Sequence, residues 1–409
     1  MDFLTGRCYY GPDMDASSQE TDTPDLLARI KELIRAKGRI TFAQFMQMAL
    51  YEPGLGYYMS ATPRSGRGGD YFTAPELHPL FGRLLGRQLI EMALLIARET
   101  DQPVTLVEMG AGRGLLAEDV LTLFREQWPR WPDGVHYKIV EVNSRVVEEQ
   151  RARLAPLLKA GALVEWHQTW PDGARDLTGI VFSNELVDAF PVHRVVMRGA
   201  RLQERYVTLE GEALTDLVDQ PSTPELADYF TRLGVTLSEG FETEVNLRAL
   251  EWMAQVGQAL RTGFVLTIDY GHPAEERYAP ARRGGTLAGF SGHKRVSSPY
   301  ERIGGQDLTA HVDFSALVRA GRPAGLELTG FTDQASFLLG LGGAELMEER
   351  LAGLEGVQRE AELAAMKLLL APDGMGRVFK VLIQHAGLAA PRLRGLTFRP
   401  FLALPSFEP

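Results

Sequence analysis

Several residues in this chain have types and spacings that could do chemistry. Glu108-Met109-Gly110-Ala111-Gly112-Arg113-Gly114 is a Gly-x-Gly-x-Gly turn, entered from the apolar run Val104–Met109 and left into a helical pattern from Leu115. Glycines there let the backbone bend tightly and approach a ligand, and the free N–H groups of the helix start favour a carboxylate or phosphate. The dinucleotide fingerprint is one residue longer, and Glu108 would repel a pyrophosphate. A ligand carrying an ammonium and a carboxylate suits this edge better, as the methionine part of S-adenosylmethionine does. The plainer alternative is a turn kept for packing.

Glu141 closes the next apolar run, where a carboxylate can accept hydrogen bonds from two vicinal ribose hydroxyls. It follows Gly112 by 29 positions, against the ~20 of a minimal βαβ unit; the loop Trp128–Gly134 accounts for the excess. A surface glutamate at a strand end is the alternative. His167 and Trp170, beyond the third run, are placed to edge or stack on an adenine, or to pack. Asn184, Glu185 and Asp188 follow the fourth run, at the sheet edge where open parallel sheets bind ligands. With one face to a pocket, Glu185 and Asp188 suit two charges gripping one cation. The competing reading is a helix N-cap followed by acids in the first turn.

The elements that must position these groups alternate. Strands are expected at Val104–Met109, His136–Val142, Ala162–Trp166, Gly179–Ser183 and Phe264–Asp269, with helices such as Leu115–Gln127 and Ser144–Leu158 between them. This is the signature of stacked βαβ units and a parallel sheet. Helices are also expected from Asp25 to Gly38, over Thr41–Leu50 and from His78 to Arg98. Arg194–Met197, Glu204–Leu209 and Ala213–Val218 read as a small antiparallel insertion, and helix Asn246–Leu260 returns the chain to the fifth strand. The irregular stretch 272–307 is too long for a simple connector, which predicts a lid or binding loop. Leu326–Thr332 and Val378–Gln384 read as the last strands. The organisation expected is a flexible tail (1–23), an N-terminal helical region covering the cofactor (24–100), a core (101–387) with insertions at about 194–245 and 272–325, and a C-terminal tail (388–409).

Composition excludes several classes. The 409 residues are 45% apolar and 23% charged, as in folded proteins, so wholesale disorder is out. The net charge of −10 argues against a nucleic-acid partner held by phosphate neutralisation. A single thiol, Cys8, excludes a disulfide scaffold or a cysteine zinc site, and no metal is expected. No run reaches the ~18 apolar residues of a spanning helix. The opening MDFLTGRCYYGPDMD is acidic, whereas secretory and mitochondrial leaders carry positive charge and lack acid, which predicts a cytoplasmic protein.

Glu-Met-Gly-Ala-Gly-Arg-Gly, Asn-Glu-Leu-Val-Asp-Ala-Phe-Pro-Val-His-Arg, Gly-Asp-Tyr-Phe-Thr-Ala-Pro-Glu and Gln-Asp-Leu-Thr-Ala-His-Val-Asp-Phe occur in this order. Together they resemble the MidA-type S-adenosylmethionine-dependent methyltransferases, relatives of the mitochondrial assembly factor that dimethylates an arginine in a respiratory complex I subunit. The likeness runs from about Leu26 to Gly387. It implies an α/β, Rossmann-like seven-stranded class I methyltransferase sheet with an N-terminal helical region and insertions after strands 4 and 5. It implies S-adenosyl-L-methionine as cofactor and protein arginine methylation as activity. Carried over by position, Gly110, Gly112 and Gly114 line the methionine end beside Glu108, and Glu141 takes the ribose. Asp70, Phe72, Thr73 and Glu76 lie over the cofactor, and Asn184, Glu185 and Asp188 face the acceptor. His311 and Asp313 match the Thr-Ala-His-Val-Asp-Phe segment.

On this reading Glu185 and Asp188 hold a guanidinium through bidentate bonds and aim one nitrogen at the methyl, while His311 or His293 takes the proton. The partner is then an arginine-bearing protein, with a respiratory complex subunit as one candidate and a homodimer left open. Where the family tends to have Gly-Thr-Leu-Arg-x-Tyr, this chain has Gly285-Thr286-Leu287-Ala288-Gly289-Phe290-Ser291-Gly292-His293. That keeps a small-metabolite O- or N-methyltransferase in view. Two other rivals are a non-catalytic assembly factor and an iron oxygenase built on His311, Asp313 and His385.

Overall fold

The structure, a computed structural model, describes residues 23–60, 65–66, 69–128, 132–170, 176–371, 374–398 and 407. The expected tail up to residue 22, parts of the loops 64–69 and 128–134, and most of 399–409 lie outside the described residues. The chain divides into two compact units. One, the insertion unit, holds residues up to Phe72, Val187–Glu251 and His272–Arg319; the sheet unit holds Thr73–Leu186, Trp252–Gly271 and the chain from Ala320 onward. The region 24–100, read from sequence as one covering element, is thus split at residue 72, and its first part folds with the two insertions.

Among the described residues, the sheet unit contains seven strands: β1 (Val104–Met109), β2 (Val135–Val140), β3 (Val164–His167), β4 (Leu177–Asn184), β5 (Leu260–His272), β6 (Glu327–Asp333) and β7 (Phe379–Ala386). Their spatial order is β6-β7-β5-β4-β1-β2-β3. The pairs from β5 to β3 are parallel, and β7 runs antiparallel between β5 and β6. Strands covered on both faces read as continuous apolar runs rather than alternating ones, as the GIVF centre of β4 (LTGIVFSN) does; β7 (FKVLIQHA) is wholly buried even though it carries Lys380, Gln384 and His385. Helices Leu80–Glu99 and Leu115–Gln127 contribute Leu84, Leu85, Leu89, Val120 and Phe124 to one core with Leu106, Tyr137, Ile180 and Leu266. The first of these helices begins two residues later than the sequence predicts: Pro79 is its N-cap, and the Leu80 N–H donates to His78 Nδ1 at 3.0 Å. Helix Leu247–Ala259 gives way to β5 four residues earlier than expected.

In the insertion unit, helix Pro24–Lys37 starts on a proline, whose missing N–H costs nothing at that position. It carries Leu26, Ile30 and Ile34 on its buried face and stops at Gly38. Thr41 and Gln44 form a capping box for helix Phe42–Tyr51. His193–Arg198, Arg201–Glu210 and Ala213–Asp219 are antiparallel, as their alternating pattern requires, and Ile40–Thr41 and Glu242–Val245 extend the same sheet. The stretch 272–307, expected to be irregular, contains helix Ala274–Arg277. It also supplies strands Ala288–Ser291 and Lys294–Val296 of a small sheet completed by Asp307–Thr309.

Candidate active site

From β1 the chain builds β2 and β3 on one side, then crosses to β4 on the other. Such a switch point opens a crevice at the carboxyl ends of the strands. Met109 pairs with Val140 on β2 and with Ser183 on β4. Gly110, Glu141 and Asn184, each one residue further, therefore lie side by side at the carboxyl edge of the sheet.

The glycine turn needs its glycines. Gly110, Gly112 and Gly114 have φ of 70°, 51° and 77°, the left-handed region that side chains disfavour. A Cβ on Gly110 would lie 2.8 Å from Leu186 Cδ1, whereas one on Gly112 would meet nothing within 4 Å. The turn is thus packed at its first glycine and open at its second, where a ligand can approach the backbone.

Glu141 is 8% exposed. Its Oε1 accepts the Asn143 N–H at 3.0 Å and its Oε2 the Gln150 amide at 3.4 Å. Burial pushes its carboxyl up to about 6, opposed by the hydrogen bonds from Asn143, Gln150 and Val142. Glu108 is buried and accepts the Tyr137 hydroxyl at 2.6 Å. Burial raises it to about 7, with the Tyr137 bond opposing and Glu141 adding to the rise. Two buried acids at one strand edge favour a cationic ligand, whose charge would lower both. The Glu141 N–H donates to the His167 carbonyl at 2.9 Å; the His167 ring lies 3.4 Å from Glu165, and Trp170 is half-buried three positions on.

Glu185 has φ 54°, a strained conformation for a residue with a side chain, and strain of this kind clusters at functional sites. The surroundings enforce it. The Glu185 N–H donates to Ile268 O at 2.9 Å and the Leu186 N–H to Asp269 Oδ2 at 3.2 Å. The Glu185 carboxylate is held through Oε1, which accepts the Ala74 N–H and the Asn184 amide, each at 3.1 Å. Asn184 Oδ1 is buried without a partner among the described residues. Thr73 belongs to the same turn as Ala74, its N–H donating to Glu76 Oε2 at 3.1 Å.

The other expected site residues belong to the insertion unit. Asp70 accepts the Tyr57 hydroxyl at 2.7 Å and the Gly292 N–H, and Phe72 stacks on His293 with centroids 5.0 Å apart. Both therefore hold the tip of the hairpin at which the sequence departs from the family pattern. Asp188 is 5% exposed, and its carbonyl accepts the Ala310 N–H at 3.0 Å. His311 lies within a buried network: its N–H donates to Thr286 Oγ1 and its carbonyl accepts from Arg277. Arg277 also pairs with Glu244 at 3.2 Å. Asp313 is engaged by the hydroxyls of Tyr229 and Tyr278 at 2.9 and 2.8 Å, a structural role that replaces the ligand role of the iron reading. Among the described residues no group of three or more His, Cys, Asp or Glu is placed to hold a metal ion, and no helix is long and apolar enough to cross a membrane.

Sequence reasoning missed Gln150 and Tyr137, while Asp269, after the fifth strand, is a residue it placed at the border of the site. Gln150 had a signal: it shares the buried face of helix Ser144–Lys159 with Leu154 and Leu157, where the helical period calls for an apolar residue.

The family model described as "Putative S-adenosyl-L-methionine-dependent methyltransferase" matches residues 84–332. The chain is 27% identical over 406 residues to "Protein arginine methyltransferase NDUFAF7 homolog, mitochondrial" of Drosophila melanogaster, covering 92% of this chain and 89% of that protein. It is 28% identical over 405 residues to the Homo sapiens "Protein arginine methyltransferase NDUFAF7, mitochondrial", covering 91% and 86%. A crystal structure from Burkholderia thailandensis with S-adenosyl-homocysteine bound matches with a TM-score of 0.80 at 31% identity, covering 91% of this chain and 94% of that one. The relatives' mitochondrial names overturn the cytoplasmic expectation, because the acidity of an opening segment reports composition and not compartment. With more than half of the chain matched and the seven-stranded sheet in place, this chain belongs to the S-adenosyl-L-methionine-dependent methyltransferases.

Proposed function

We propose that this enzyme methylates a guanidinium nitrogen of arginine in a protein substrate. The observation that carries the reading is Glu185, a carboxylate forced into a left-handed backbone at the carboxyl end of β4 and fixed through Oε1 by Ala74 and Asn184. The site fits an S-adenosyl nucleoside: Gly112 leaves the turn open, Glu141 stands where a diol can be held, and the Asn184 Oδ1 acceptor is buried and unpartnered among the described residues. The cofactor, when bound, supplies a methyl on a sulfonium whose departure needs no acid.

What the protein must supply is an aligned nucleophile, and positioning of this kind is worth up to ~7–11 kcal/mol. A guanidinium is a poor nucleophile because its charge is delocalised and its pKa exceeds ~12. Glu185 accepts hydrogen bonds from it and draws the charge toward the bonded nitrogens, leaving another nitrogen to attack. The roles of Asp188 as a second acid and His311 as proton acceptor belong to the same proposal and rest on the resemblance. Relatives named as protein arginine methyltransferases support this acceptor. A small-metabolite acceptor is favoured instead by one observation: after Leu287 the chain departs from the family pattern into the hairpin Ala288–Val296. Incubation with methyl-labelled cofactor and a lysate tests the proposal, which requires label in protein and its loss with Glu185→Gln.

A further inference from the structure

Gln150 is fully buried, and its amide is shared among three elements. Its Nε2 donates to the Gly112 carbonyl at 2.8 Å and to Glu141 Oε2 at 3.4 Å, and its Oε1 accepts the Trp166 indole N–H at 3.0 Å. Trp166 is held in turn by Arg151, whose guanidinium carbon lies 4.1 Å from its ring centroid. One side chain on helix Ser144–Lys159 therefore joins the open glycine of the turn, the acid at the end of β2 and an indole on β3. A leucine there would fill the space equally well, yet would leave the Gly112 carbonyl and the Trp166 N–H without these partners. A buried polar group with all its bonds made fixes geometry in a way that apolar packing does not.

We propose that Gln150 is a positioning residue of the cofactor site, orienting the Glu141 carboxylate from its anchor on the Gly112 carbonyl. The inference rests on Glu141 holding the ribose diol. A carboxylate binds two hydroxyls well only when it is ionised and correctly turned, and the Gln150 amide favours both. Of the titratable or charged groups, Glu108 on β1 acts on Glu141 directly; Arg113 belongs to the turn, His167 to β3, and Arg145 and Arg153 to the helix. Glu108 titrates in the same window and is common to every protein compared.

The test is calorimetric titration of the full chain with S-adenosyl-homocysteine between about pH 5 and 8. It compares the wild type, Glu141→Gln, Gln150→Met and the double variant. Gln150→Met should weaken binding roughly tenfold at the upper end. The pH below which affinity falls should rise by about half a unit, because the ionised carboxylate loses a donor. The double variant should bind within about twofold of Glu141→Gln alone. An unmoved pH midpoint, or penalties that multiply in the double variant, would show that Gln150 only packs. If Glu141→Gln itself leaves affinity unchanged, the ribose reading fails and takes the positioning role with it. Sensitivity to Glu141→Gln without sensitivity to Gln150→Met sinks the positioning role alone. Should methionine not be tolerated, Gln150→Glu keeps the length and the acceptor for Trp166 while placing a like charge beside Glu141. It must raise the midpoint further, and an unchanged midpoint overturns the proposal.

Discussion

Gly110 and Leu186 face each other across the carboxyl ends of adjacent strands, so closely that a methyl on Gly110 would stand 2.8 Å from Leu186 Cδ1. Gly112, two residues on, has a similar left-handed φ but open space where its side chain would be. Substitution should therefore separate fold from binding. Gly110→Ala carries the left-handed cost of about 1–2 kcal/mol plus the clash, and should lower urea stability. Gly112→Ala carries only the first term. Its larger effect should appear as weakened S-adenosyl-homocysteine binding by calorimetry. Equal effects of the two on binding would contradict a ligand at Gly112.

Glu185→Gln keeps an acceptor oxygen for the Ala74 N–H and removes only the charge. Thermal stability should be unchanged, and affinity for S-adenosyl-homocysteine should stay within about threefold. Turnover should fall by on the order of a hundredfold or more, the loss expected when a group aimed at the transition state is removed. Single-turnover transfer of a labelled methyl group measures this directly.

Glu108 makes a pH prediction with a definite sign. Its folded pKa is raised to about 7 by burial, so between the ordinary carboxylate range and pH 7 the folded state binds more protons than the unfolded one. Its contribution to stability is present at low pH and is lost as pH rises through about 7. Glu108→Gln retains an acceptor for the Tyr137 hydroxyl and removes the titration. Relative to wild type, the ligand-free variant should gain stability between about pH 5 and 8, on the order of 3 kcal/mol. Urea unfolding at the two pH values checks this, and a constant difference would show that Glu108 is not buried as an acid.

In the insertion unit the buried Arg277–Glu244 pair is 3% and 5% exposed at its side chains. Glu244 also accepts the Thr286 and Leu287 N–H groups, at 3.0 and 3.1 Å. Arg277→Met leaves a buried carboxylate without its counter-charge and should cost about 3–5 kcal/mol. Hydrogen exchange should rise first at Gly285–Leu287, the segment docked on Glu244.

Much of the sheet unit was legible because its signals are local. The run Val104–Met109 ending in glycines predicts β1 and its turn, and helix Leu115–Gln127 has the bounds its apolar period predicts. The bends that make the site depend on partners far along the chain. Nothing beside Glu185 announces a left-handed residue, since the groups enforcing it, Ile268 and Asp269, lie on β5. Asp70 shows no local sign of its bond to Gly292, 222 positions away. Likewise the N-terminal helices and the two insertions give no sequence signal that they share a unit, because each carries its own amphipathic pattern.

The central claim is tested most directly by the chemical identity of the product. The protein is incubated with methyl-labelled S-adenosylmethionine and a lysate, the protein fraction is hydrolysed, and the labelled amino acids are identified. The account predicts label in methylarginine, abolished in the Glu185→Gln protein. Label confined to small molecules, or to another amino acid, would contradict it.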